Sequence, residues 1–243
     1  MKITSTKNVG IDRLKALVYG KAGIGKTTLA STLPGKTLII SAESGLLSIA
    51  KFDLPVFDIT VDDNGQSVPI TKRYDRLAEV FKYLETDEAI KIYDNIFIDS
   101  LTEISQNLSE KLQAEFTDSK DTIKMWGEYS KKMKAMIKAF RDLPYYNVIF
   151  SALEKEDQDE FKRKLIRINV QGSVASDIPA FFDEVFYYTI VDADDGTAKR
   201  ALITQPSSRA VAKDRSGKLE LIEEPNLTSV FKKIKQTKLN KGE

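Results

Sequence analysis

The sequence predicts an α/β protein: a mostly parallel sheet flanked by helices, with an antiparallel extension in its C-terminal third. Three observations carry this. Short, continuously apolar runs alternate with amphipathic stretches up to about residue 150. A glycine-rich loop follows the first apolar run directly. Beyond residue 155 the runs are strand-like in succession, with turn residues between them. Continuous apolarity marks strands buried on both faces, and strand–helix alternation implies right-handed crossovers.

Taken in order, Ala16-Leu17-Val18-Tyr19 reads as the first buried strand, and a short helix over 28–33 follows the loop, closed by Pro34-Gly35. Leu38-Ile39-Ile40, Asn95-Ile96-Phe97-Ile98 and Asn147-Val148-Ile149-Phe150 are the next buried strands. Between them, Leu77, Val80, Phe81 and Leu84 form one helical stripe, and Leu101, Ile104, Leu108 and Leu112 a second. Trp126, Tyr129, Met133, Met136, Ile137 and Phe140 form a third, ended by Pro144. Residues 165–170, 185–190 and 200–204 read as antiparallel strands, the last two joined at Asp194-Asp195-Gly196. A final helix over 227–234 leads into a lysine-rich tail.

With 243 residues the chain is expected to be a single domain over 1–243, with an N-terminal segment at 1–15 and a flexible basic tail at 236–243. It has no apolar run long enough to span a bilayer and no signal-peptide core, which predicts a cytoplasmic protein. It contains neither cysteine nor histidine, so disulfides, thiol nucleophiles, Cys/His zinc sites and imidazole acid–base chemistry are excluded. Catalysis is left to carboxylates, Lys, Arg, hydroxyls, backbone amides and an oxygen-held metal ion. With 37 basic and 36 acidic side chains, the chain does not coat nucleic acid by bulk charge.

Gly20-Lys21-Ala22-Gly23-Ile24-Gly25-Lys26-Thr27 fits G-x-x-x-x-G-K-[ST] at every position, between a predicted strand and a predicted helix that begins at Thr28. Gly20, Gly23 and Gly25 permit backbone conformations closed to other residues, which lets successive N–H groups point at phosphate oxygens. The helix N-terminus adds a fixed positive end. In such a loop Lys26 neutralises the β- and γ-phosphates and the Thr27 hydroxyl ligates Mg²⁺. The bland alternative is a glycine-rich turn with a solvated lysine.

Asp99 ends a buried strand, where an acid sits beside the ligand crevice of an open α/β sheet and holds Mg²⁺. Its other reading is a helix N-cap, a role open to Asp99 or Ser100. Glu43 ends the strand run Leu38-Ile39-Ile40-Ser41-Ala42 and is placed to polarise an attacking water; otherwise it is a surface Glu in a Ser-rich turn. Asp62-Asp63-Asn64-Gly65 contains D-x-x-G, but no Asn-Lys-x-Asp accompanies it, and the segment reads as a turn.

Together these residues resemble the RecA-like branch of P-loop ATPases. Leu38 to Glu43 looks like that branch's strand ending in Ala-Glu, whose Glu is the catalytic base, and Asn95 to Ser100 looks like its Walker B strand ending in Asp-Ser. Lys213-Asp214-Arg215-Ser216-Gly217 is similar to a Lys-Asn-Arg-Phe-Gly motif of relatives, departing from it at Asp214 and Ser216. Order and length are similar to phage-encoded nucleotide-binding ATPases of the single-strand annealing and recombination group, including the segment Asp177 to Val185. The resemblance spans roughly residues 15–235. It implies a RecA-like core, ATP and Mg²⁺ as cofactors, a homo-oligomer, and Lys213 and Arg215 reaching the nucleotide of an adjacent protomer. Relatives often carry a polar γ-phosphate sensor where this chain has Leu153, which leaves Ser151 or Glu154 for that role.

The same resemblance places single-stranded DNA at two loops, near 116–125 and 155–164. The second holds Phe161, Lys162, Arg163 and Lys164, an aromatic beside three cations, together with Glu156, Asp157, Asp159 and Glu160. A solvated hairpin tip fits those residues equally. Further basic clusters are Lys131, Lys132, Lys134, Lys138 and Arg141 on one helix face, and Lys232, Lys233, Lys235, Lys238 and Lys241 in the tail. The expected function is a Mg²⁺-dependent ATPase that binds single-stranded DNA and assists recombination, annealing or replication, in a host cytoplasm if phage-encoded. The competing expectations are a ring-forming helicase-type motor, a small-molecule P-loop kinase and a non-hydrolysing ATP-binding adaptor.

Overall fold

The computed structural model describes residues 12–43, 45–117, 121–192 and 196–235. Its parallel strands are β1 (Lys15–Gly20), β2 (Thr37–Ser41), β3 (Val56–Asp58), β4 (Asn95–Asp99) and β5 (Asn147–Gln158). The later strands are β6 (Lys164–Ile168), β7 (Glu184–Asp192), β8 (Ala198–Ile203), β9 (Lys213–Asp214) and β10 (Ile222–Glu223). They form one ten-stranded sheet in the order β10-β8-β7-β1-β5-β4-β2-β3, with β6 paired to β5 and β9 to β7. β7 runs parallel to β1, and β8, β9 and β10 are antiparallel to their neighbours, so the extension is part of the same sheet.

Helices cover both faces. Leu17 and Tyr19 of β1 pack with α2 (Arg76–Leu84), α4 (Leu101–Glu115) and α5 (Thr122–Arg141) on one side. Ala16 and Val18 face the other side, against Leu29, Ala30 and α7 (Leu227–Lys235). The expected stripes are the buried ones: Leu77, Val80 and Leu84 in α2, and Leu101, Ile104, Leu108 and Leu112 in α4. The remaining helices are α1 (Ile70–Arg73), α3 (Asp87–Ile92) and α6 (Val174–Phe181).

Several expectations are corrected. The segment after the glycine-rich loop is a 3₁₀ helix over Thr27–Thr32; Thr32 lies in its last turn, and both its hydroxyl and its carbonyl accept hydrogen bonds from the start of α7. β5 continues to Gln158, because it leaves the parallel core and pairs antiparallel with β6 beyond Leu153. Residues 169 and 170 lie beyond β6. Asp62 holds its turn by accepting the N–H groups of Asn64 and Gln66, which matches the turn reading of that segment. Asp194 and Asp195 of the expected hairpin turn, and Lys238 and Lys241 of the tail, lie outside the described residues.

Two buried asparagines at strand starts tie the central strands together. The Asn147 amide donates to Asn95 Oδ1 at 2.6 Å, and its oxygen accepts from Leu14 N at 2.9 Å. Asn95 Nδ2 in turn donates to the Pro34 carbonyl at 2.7 Å. A buried group left unpaired costs about 1–3 kcal/mol. Asn147→Ala orphans the Leu14 N–H and Asn95 Oδ1 together, and is expected to lower the melting temperature by several degrees, at roughly 2–4 °C per kcal/mol for a chain of this size. Calorimetry checks this, and an unchanged melting temperature would remove the clamp from the account.

Candidate functional site

The site forms where the C-terminal ends of β1, β2, β4 and β5 meet. Gly20 ends β1, and a Cβ there would lie 2.2 Å from the Tyr188 carbonyl oxygen, so glycine is required by the close approach of β7. This corrects the expectation of special backbone freedom at Gly20; that freedom is used at Gly23 and Gly25, with φ of +74° and +109°. An open cleft of about 790 Å³ is lined by Ala22, Gly23, Gly25, Lys26, Thr27 and Thr28, together with residues brought from afar. Lys21 and Ile24 of the same loop line a separate cavity.

Lys26 is buried, and its Nζ donates to the carbonyls of Gly20 at 3.0 Å and Lys21 at 2.8 Å. Burial lowers its pKa, against the opposing pull of Asp99 and Glu43. Thr27 Oγ1 donates to Asp99 Oδ2 at 2.6 Å, across 72 residues of sequence. The other Asp99 oxygen accepts from Ser151 Oγ. Of the two readings of Asp99–Ser100, the helix cap falls to Ser100, whose Oγ accepts from Glu103 N, and the Asp99 carboxylate is left facing the loop. The Asp99–Ser100 peptide is cis.

The same Ser100 hydroxyl donates to Glu43 Oε1 at 2.5 Å, so Glu43 is tied into the cleft wall and is not a free surface acid. Of the two sensor candidates, Ser151 is the one that meets Asp99. Leu153 lines the cleft, and Glu154 faces the neighbouring cavity with Lys21 and Ile24.

Sequence reasoning missed Arg73, Glu103 and Arg200, which line the cleft as well. Arg73 Nε donates to the Val68 carbonyl at 2.9 Å. Burial raises the Glu103 carboxyl, the nearby Glu43 charge raises it further, and Arg73 opposes both. No local pattern announces these three; each arrives through tertiary folding.

Lys213 and Arg215 lie elsewhere. Lys213 pairs with Val185, which is level with Leu17, and the Arg215 N–H donates to Asp183, whose own N–H donates to Lys15. Arg215 thus sits at the start of β1, five residues before Gly20, or roughly 16 Å at the strand rise. Lys213 Nζ donates to the Phe182 carbonyl at 2.6 Å, at the end of α6, and Arg215 pairs with Asp183 at 2.5 Å.

Phe161 stands at the tip of the β5–β6 hairpin with 70% of its surface exposed. Lys162 takes a left-handed φ of +60° in that tip. Arg163 pairs with Asp159 at 2.6 Å and covers the Phe161 ring at 5.2 Å, and Lys164 pairs with Glu156 at 2.5 Å. Asp157 is taken by Arg167. On α5, Lys131 and Lys132 pair with Glu128, and Lys134 with Asp177, as on an ordinary solvated face.

The AAA domain family matches this chain over residues 12–216, and the chain belongs to that family. Its G-x-x-x-x-G-K-T loop lies at the end of the first strand of that domain. Among solved structures, one described as a prototypical ATPase from the type III secretion system of pathogenic bacteria is similar at 14% identity with a TM-score of 0.48. That match covers 72% of this chain and 51% of the other, so the chain spans about half that ATPase's length. No curated protein matches the chain. No helix among the described residues is long and apolar enough to cross a membrane.

Beneath β9, Glu184 is fully buried; its Oε1 accepts from Ser216 N at 3.3 Å, and its Oε2 has no partner among the described residues. Burial first, then the Asp214 charge, pushes its carboxyl up to about 8. A raised folded pKa means that the fold holds a proton the unfolded chain has released. The stabilisation is therefore complete below the ordinary carboxyl range and is lost as pH rises toward 8. Lys15, lowered to about 8 by burial, works with the opposite sign above that pH. Glu184→Gln is expected to gain melting temperature relative to the unaltered protein between pH 5 and pH 9; a pH-independent difference would contradict this.

Proposed function

We propose that this chain is a Mg²⁺-dependent ATPase working as a single-domain homo-oligomer on single-stranded DNA. The observation that carries the catalytic half is the 2.6 Å hydrogen bond from Thr27 to Asp99, beside the Glu43–Ser100 bond. It puts a loop hydroxyl and a strand-end carboxylate within one ion's reach, and such hard oxygen donors suit Mg²⁺, which takes few protein ligands when phosphates supply others. When bound by Thr27 and Asp99, that ion offsets charge on the β- and γ-phosphates. The amides of residues 20–28 hold the phosphate chain, and Lys26 exchanges its two loop carbonyls for phosphate oxygens. Glu43 orients a water and accepts its proton as the water oxygen bonds to the γ-phosphorus and the bond to the β-phosphate oxygen breaks. Ser100 fixes the rotamer of that carboxylate.

Neither Lys213 nor Arg215 lines the cleft of its own loop, so in this reading they serve a neighbour's nucleotide. Arg215, with 56% of its side chain exposed, is the more available of the two. On the DNA half, the β5–β6 hairpin offers Phe161 as a stacking platform, flanked by Lys162, Arg163 and Lys164. Within the hairpin Glu156 and Asp159 pair with Lys164 and Arg163, and Asp157 with Arg167, so a DNA phosphate would exchange with these acids for the two cations, and Lys162 stands outside these pairs. A role in recombination, annealing or replication, and a phage origin, follow from the resemblance of the motif order.

Glu43→Gln is expected to reduce kcat by about 10²–10⁴ while ATP still binds; unchanged turnover would remove the base from this account. Mixing inactive Lys26→Ala and Arg215→Ala proteins is expected to restore hydrolysis that neither has alone, and failure to do so would count against action across subunits. Phe161→Ala is expected to weaken single-stranded DNA binding in an anisotropy titration. An unaltered protein that neither binds DNA nor is stimulated by it at low salt would reject the DNA half.

A further inference from the structure

We propose that Arg200 is a ligand of the ATP phosphate chain, supplied by the same subunit and delivered over the phosphate loop by the β7–β8 hairpin. The inference rests on the ATPase reading of the cleft and adds a residue outside the loop motif. Arg200 stands on β8 opposite Ile190 of β7, and its side chain lines the cleft with Gly23, Gly25 and Thr28. A Cβ on Gly25 would lie 3.3 Å from Arg200 Nη1 and 3.3 Å from Tyr188 Oη, so both polar heads rest against the backbone that grips phosphate.

Tyr188 positions the guanidinium. Its ring is buried and burial raises its pKa, which keeps a neutral hydroxyl beside Arg200. Arg141, Arg163, Arg167 and Arg215 each pair with an aspartate, whereas among the described residues no carboxylate pairs with Arg200. Of the acids that line the same cleft, Glu43 is held by Ser100, and Asp99 by Thr27 and Ser151. A triphosphate on the loop therefore meets Lys26 at the cleft floor and a planar, bidentate cation from the hairpin above. Lys199, the preceding residue, points to the other face of the strand by alternation.

Binding titrations of the full chain with Mg²⁺ test this. Arg200→Ala is expected to weaken ATP by about tenfold or more, the scale of a charge-assisted hydrogen bond, and inorganic tripolyphosphate by a similar factor. Arg200→Lys is expected to recover part of the loss, and Lys199→Ala to change neither ligand. The melting temperature of Arg200→Ala without nucleotide should match that of the unaltered protein. Unchanged ATP affinity in Arg200→Ala overturns the proposal. So does weakened ATP with unchanged tripolyphosphate, which would assign the guanidinium to the base. Lys26→Ala, measured alongside, separates the two levels of the argument: if the unaltered protein itself binds no ATP, the reading of the cleft fails and this inference with it.

Discussion

The site depends on how one nearly buried carboxylate is satisfied. Asp99 is 4% exposed at the end of a central strand, and an ionised group there is tolerated only when hydrogen-bonded or paired. Its oxygens accept from Thr27 on the loop after β1 and from Ser151 in the parallel part of β5. Those contacts exist only because β5 lies between β1 and β4, with Val18 level with Ser151 and Ile98 with Phe150.

Around that carboxylate the other polar groups of the cleft are held by separate short sets of hydrogen bonds. Lys26 binds two carbonyls of its own loop, and Ser100 serves Glu43 and the α4 N-terminus together. The lysine's bonds are to neutral carbonyls, and a phosphate oxygen carrying charge is the stronger acceptor. Ligand binding can thus proceed by exchange of partners, without first exposing an unpaired charge.

The parts of this arrangement readable from sequence are those written in short-range pattern. The loop at residues 20–27, the buried strands and the stripes of α2 and α4 each follow from spacing within a dozen residues. Asp99 and Glu43 were readable because strand ends face the crevice of an open sheet. Arg73, Glu103 and Arg200 were not, because each reaches the cleft by a fold-dependent approach with no local signature. The Asn95–Asn147 clamp was hidden for the same reason: an asparagine at a strand start reads as a boundary, and only the β4–β5 pairing makes the two amides partners. The 3₁₀ segment after the loop was not readable either; its last residue, Thr32, accepts hydrogen bonds from the start of α7, almost two hundred residues away.

The placement of β7 gives the C-terminal extension a mechanical sense. Tyr188, at its middle, packs against Gly20 and Gly25, while Glu184 and Val185, at its start, carry β9 with Lys213 and Asp214. One strand therefore touches the glycine-rich loop at its middle and the Lys213–Arg215 segment at its start. Interiors packed this closely transmit strain. The two contacts are not equally satisfied: beside β9 one Glu184 oxygen has no partner among the described residues, whereas Tyr188 meets the loop through close backbone packing at Gly20.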